Sequence, residues 1–156
     1  MLPKPIDILP QQPPFLFIDE YLELDENHCL GKYTFKEDEW FFKGHFPGNP
    51  IVPGVILVEA MAQAGVSIGI FRVAQKEKIP IEKAKEASLS VFTRIGEVEF
   101  LDMVRPGEII YILSRITFYR FGKFESEGEI YKMVDGVKKL VCRHKNISGQ
   151  ALKVFR

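Results

Sequence analysis

Apolar residues are not spread evenly along the chain. Residues 51–70 read Ile-Val-Pro-Gly-Val-Ile-Leu-Val-Glu-Ala-Met-Ala-Gln-Ala-Gly-Val-Ser-Ile-Gly-Ile, apolar on nearly every position. A helix that is apolar all round is a buried helix. Pro53 marks its start, since proline is favoured at the first helical position, and the helix is expected to run to about Gln75. Arg72, Lys76 and Lys78 gather at its C-terminal end, where cations suit the dipole. The stretch is nearly long enough to span a bilayer. A Glu at its centre would cost a few kcal/mol in lipid, and the remaining strands can wrap the helix instead, so no membrane span is expected.

Elsewhere the pattern is that of strands. Residues 15–24, 29–35, 88–95, 97–100, 109–119, 124–134 and 137–145 are the candidates, with a turn at Asp25-Glu26-Asn27 between the first two. Asp135-Gly136 between two strand patterns is a two-residue hairpin signal. One long helix with about six strands predicts an α+β domain, a curved antiparallel sheet wrapped around a long central buried helix.

At 156 residues and 46% hydrophobic composition, one globular domain over 1–156 is expected. The 21 basic and 21 acidic residues cancel, which gives no support for a nucleic-acid binder. Cys29 and Cys142 stand outside any metal-ligand spacing and fit a reducing compartment as small buried residues. The N-terminal residues carry no apolar signal stretch. A cytoplasmic location is the expectation.

Glu59 is the chemical anomaly of the apolar helix. Desolvation raises a carboxyl pKa, and a carboxylic acid still protonated near neutral pH can donate to a leaving group. His45 lies fourteen residues earlier, in Gly44-His45-Phe46-Pro47-Gly48. A histidine base with a buried acid suggests proton abstraction coupled to loss of a leaving group. Gln63 is one helical turn after Glu59 and on the same face, either fixing Glu59 or capping backbone groups. Gly54 falls in the first turn, where backbone N–H groups are unpaired and the dipole is positive; its N–H is the candidate oxyanion donor. Trp40, Phe41, Phe42 and Phe46 read as core, and His28 and His144 as surface residues without partners.

The run from Gly44 to Gln63 resembles the signature of the β-hydroxyacyl-acyl carrier protein dehydratases of the FabZ type. Residues 9–19, 97–100 and 104–108 are similar to further parts of that family, so the resemblance covers roughly residues 8–142. It implies a hotdog fold, a homodimer or higher homo-oligomer, and a site in which the histidine of one subunit meets the acid of the other. Those residues are His45 and Glu59. Glu59, where the isomerising branch has Asp, favours dehydration alone. Two departures stand out: Gln11-Gln12-Pro13 replaces the family's frequent His-Arg-Tyr, and Arg143-His144-Lys145 ends the last predicted strand where Ala-Glu is common.

The implied chemistry is loss of water from a (3R)-hydroxyacyl thioester. Neutral His45 takes a C2 proton, Glu59 protonates the departing C3 hydroxyl, and the Gly54 N–H steadies the thioester oxygen, with Gln63 beside the acid. A variant of the scheme gives both transfers mainly to His45, with Glu59 orienting a water. The reaction needs no metal or organic cofactor. The implied partner is an acidic acyl carrier protein bearing the substrate on phosphopantetheine, and Arg72, Lys76 and Lys78 are either its docking site or a solvated helix end. A hotdog thioesterase, a dehydratase of coenzyme A thioesters and a non-catalytic acyl-binding subunit are the alternatives. A binding subunit has no need of a buried acid with a base.

Overall fold

The computed structural model describes residues 1–152. Its elements are α1 (Pro5–Ile8), β1 (Glu20–Leu24), β2 (His28–Thr34), a 3-10 turn (Trp40–Lys43), α2 (Gly54–Glu77), α3 (Ile81–Glu86), β3 (Leu89–Phe100), β4 (Ile109–Arg120), β5 (Lys123–Val134) and β6 (Val137–Leu152). The strands form one antiparallel sheet in the order β1-β2-β4-β5-β6-β3. α2 packs on β4, β2 and β5, which gives the expected hotdog arrangement. Alternation along each strand sends Ile110, Ile112 and Ser114 of β4 and Phe124, Ser126 and Ile130 of β5 inward. The helix meets them with Leu57, Met61, Ala64 and Ile68, all nearly inaccessible to solvent. By length and composition α2 is apolar enough to cross a membrane, but most of its apolar window is buried inside this fold.

Asp135 and Gly136 both take positive φ (50° and 76°) between the paired residues Val134 and Val137, the geometry a two-residue primed turn requires. Phe121 and Gly122 make the same turn between β4 and β5.

Several boundaries differ from the sequence reading. Pro53 stands just before α2 as its N-cap, and the helix continues to Glu77. There Lys78 turns left-handed (φ 52°) and its N–H returns to the carbonyls of Ala74 and Gln75. Residues 15–19 are not strand, because the backbone of Phe15 and Phe17 bonds the Gln63 side chain instead of a neighbouring strand. The two segments expected at 88–95 and 97–100 are one strand, bulged between Phe92 and Arg94. β6 runs past residue 145 to Leu152, so that β3 is paired along its whole length.

His28 lies near the surface as expected but has partners, and His144 is not a surface residue. His28 sits between Glu23 and Asp25, each 2.7 Å from a ring nitrogen. His144 is only 3% exposed, its ring lying over Gly128. Cys29 and Cys142 are buried free thiols.

Candidate active site

The segment before α2 builds a tight loop around His45. Its N–H reaches the Phe41 carbonyl at 3.0 Å, closing the 3-10 turn, and its own carbonyl accepts the Ile51 N–H at 3.0 Å. The imidazole Nδ1 lies 3.0 Å from the Ile51 carbonyl oxygen. A carbonyl can only accept, so Nδ1 carries the proton in the neutral ring and Nε2 keeps its lone pair. Phe46 stacks on the imidazole at 4.2 Å between ring centres. The loop is tied to the turn before β4 by Val52 N–H to the Val104 carbonyl (2.8 Å) and by Arg105 to the Asn49 side chain (3.0 Å). Lys132 secures that turn from β5, donating to the Met103 carbonyl at 2.8 Å and pairing with Asp102 and Glu108 at 3.1 Å.

Glu59 projects from the second turn of α2 into a small cavity of about 30 Å³, walled by Ala62, Val66, Phe124, Gln11 and Ser148. Desolvation holds its pKa above the ordinary carboxylate value, opposed by hydrogen bonds from Gln63 and Gln11. Gln63 is wholly buried and does two jobs. Its Oε1 accepts the Phe17 N–H at 2.8 Å, while Nε2 donates to the Phe15 carbonyl and to Glu59 Oε1, both at 3.0 Å. The Ser67 hydroxyl donates to the Gln63 carbonyl at 2.8 Å and meets the Tyr21 hydroxyl at 2.6 Å, anchoring this part of the helix to β1.

Gly54 is the first residue of α2, and among the described residues no acceptor meets its N–H. Its lack of a side chain has a packing reason as well: a Cβ here would stand 2.9 Å from the Phe100 ring.

The chain brings Glu59, Gln63 and Gln11 together but does not bring His45 to Glu59. Among the described residues His45 bonds only to Phe41 and Ile51, and it is not part of the Glu59 cavity. Sequence reading missed Gln11 as a site residue. The available signal was an amide where the resembling family often carries an imidazole. It also missed Lys132 and Arg105, whose partners lie on other elements and are marked by no local motif.

The fold and this pocket define a hotdog protein with an acid set in an apolar cleft. Residues 9–139 match the FabA-like domain. A 3-hydroxyacyl-[acyl-carrier-protein] dehydratase FabZ of Caldicellulosiruptor saccharolyticus is 35% identical over 138 residues, covering 80% of this chain and 91% of that protein. One from Caldanaerobacter subterraneus subsp. tengcongensis is 37% identical over 123 residues, covering 78% and 79%. The chain belongs to the FabA-like family and is a dehydratase. Among solved structures, the dehydratase heterocomplex ApeI:P from Xenorhabdus doucetiae superposes with a TM-score of 0.75 at 17% identity, covering 99% of this chain and 94% of that one. A hypothetical thioesterase protein with coenzyme A from Streptococcus pneumoniae gives 0.59 at 11% identity, covering 86% and 85%. At these identities the two structures speak for the fold alone.

Proposed function

We propose that this single-domain protein removes water from (3R)-hydroxyacyl groups carried on acyl carrier protein, giving trans-2-enoyl thioesters for fatty acid synthesis in the cytoplasm. The observation that carries the reading is the Glu59 carboxyl, held in an apolar cavity with its proton favoured by desolvation. Both amides converge on Glu59 Oε1, which leaves Oε2 to carry that proton. His45 Nε2 takes the C2 proton, the C3–O bond breaks, and the leaving oxygen receives the Oε2 proton and departs as water. The free Gly54 N–H, at the positive end of α2, receives the charge that grows on the thioester oxygen.

The acid and the base come from two copies of the chain in this reading. The separation of His45 from the Glu59 cavity within one copy supports it. So does β3, an edge strand whose outer side is unpaired. Its Leu89, Val91, Phe92 and Ile95 are 42–51% exposed, an apolar edge of the kind that a second strand covers. Val91 and Phe92 also line the Glu59 cavity, so a second copy at this edge would close the cleft.

The test is incubation with a 3-hydroxyacyl-acyl carrier protein, followed by intact mass, beside Glu59→Gln. Loss of one water from the acyl chain, abolished in the variant, is the expected result. Release of the free acid would make the protein a thioesterase, and no change at any chain length would make it an acyl-binding subunit.

A further inference from the structure

Gln11 comes from the segment between α1 and β1, and it lines the same cavity as Glu59. Its Nε2 points at Glu59 Oε1, a long contact at 3.5 Å. Its Oε1 is buried and, among the described residues, has no hydrogen-bond partner. A buried acceptor left unpaired costs about 1–3 kcal/mol, so an unpaired oxygen in a ligand cleft calls for a donor from the ligand. The rest of the wall is mostly apolar, with Ala62, Val66 and Phe124 among its residues; its hydroxyls are Ser90 and Ser148, and Ser148 is engaged with Asn146 at 3.0 Å. The segment is held in place next door: Gln12 donates to the carbonyls of Leu9 (3.1 Å) and Ile6 (3.2 Å), and Leu9 is fully buried.

We propose that Gln11 is a substrate-binding residue whose Oε1 accepts the O–H of the substrate's C3 hydroxyl and so aims the leaving oxygen at Glu59. The inference rests on the dehydratase reading. A C3 hydroxyl has one proton to donate and lone pairs to receive one. Glu59 supplies a proton to a lone pair, and the hydroxyl's own proton then needs an acceptor in a mostly apolar wall. Gln11 Oε1 is that acceptor. The balance is unchanged by it: the C2 proton goes to His45, the Glu59 proton to the leaving oxygen, and Gln11 gains and loses none. As the hydroxyl becomes water its O–H turns more acidic, and the bond to Gln11 strengthens. The contact therefore favours the transition state over the bound substrate. It also makes the cleft discriminate a 3-hydroxyacyl chain from the saturated chain of equal length.

Gln11→Leu, and Gln11→Met as a closer match in shape, test this on the full-length protein. The readouts are kcat for a 3-hydroxyacyl-acyl carrier protein and the binding of the matching saturated acyl-acyl carrier protein, which has no hydroxyl. The expected result is a kcat lower by about tenfold or more, unchanged binding of the saturated chain, and a lost preference for the hydroxylated one. The alkaline limb of the rate should also move to higher pH, because one of the two amides that lower the Glu59 pKa is gone. Retained kcat and hydroxyl preference in both variants would overturn the proposal. Equal loss of both ligands would overturn it too, since that is what a merely structural side chain would do. Failure of the unaltered protein to dehydrate any chain would remove the dehydratase reading, and Gln11's role with it.

Discussion

Gln63 Oε1 accepts the Phe17 N–H at 2.8 Å, and this contact decides what Gln63 offers Glu59. A backbone N–H can only donate, so the amide oxygen faces Phe17 and the amide nitrogen faces the acid. Gln63→Leu would leave the buried Phe17 N–H and the part-buried Phe15 carbonyl unpaired. The expected cost is about 1–3 kcal/mol for the buried N–H, with a smaller addition from the carbonyl. A urea titration of the two proteins measures it.

Glu59 links activity and stability through one proton. Its folded-state pKa is raised by desolvation, so the proton favours the fold at low pH and this contribution is lost as pH rises through the folded-state value. As the proposed acid it would work only while protonated, so kcat should fall over the same range. Glu59→Gln stays neutral throughout. Relative to the unaltered protein it should therefore gain stability between about pH 5 and about pH 8 while losing turnover. Urea midpoints at the two pH values give the comparison.

At the β1–β2 hairpin the sign concerns a base. The hydrogen bond to Glu23 and the nearby Asp25 charge raise the His28 pKa. The protonated ring thus stabilises the hairpin below the unfolded-state value of about 6.5, and the contribution fades as pH rises through the folded-state value. His28→Gln should lower Tm at about pH 5 and leave it nearly unchanged at about pH 8, with a small amplitude because both carboxylates are exposed. Thermal melts across that range report it.

Gly54→Ala tests two reasons for one glycine. The added Cβ would meet Phe100 at 2.9 Å, so overpacking of about 1–3 kcal/mol is expected. Phe100→Leu in the same chain should relieve that strain and restore Tm. A rate deficit that persists in the double variant would isolate the approach of the thioester oxygen from the packing.

Much of this was readable from the residues. An all-round apolar helix with a Glu at its centre fits a core better than a bilayer, and Asp135-Gly136 supplies the positive φ values its turn needs, so α2 and the β5–β6 hairpin were legible. Phe121-Gly122 makes the same turn without Asn or Asp in the first place, and it went unread. β6 was cut short because Lys145 and Asn146 look like a strand end, yet it is pairing with β3 that carries it to Leu152. His144 looked polar and therefore external. Gly128 on the neighbouring strand makes the space that buries it. The candidates His45, Gly54, Glu59 and Gln63 could be proposed from the sequence because they share one short stretch. Gln11 stands 48 residues from Glu59, and only the fold makes them neighbours.

The central claim is that His45 and Glu59 act together across two copies of the chain. His45→Ala and Glu59→Gln should each lower turnover by about a hundredfold or more while remaining folded. Co-expressed so that subunits mix, the two inactive variants should regain turnover, because each mixed pair contains one site with both residues intact. A mixture no more active than either variant alone, from a preparation in which mixed oligomers are verified by mass, would contradict the account.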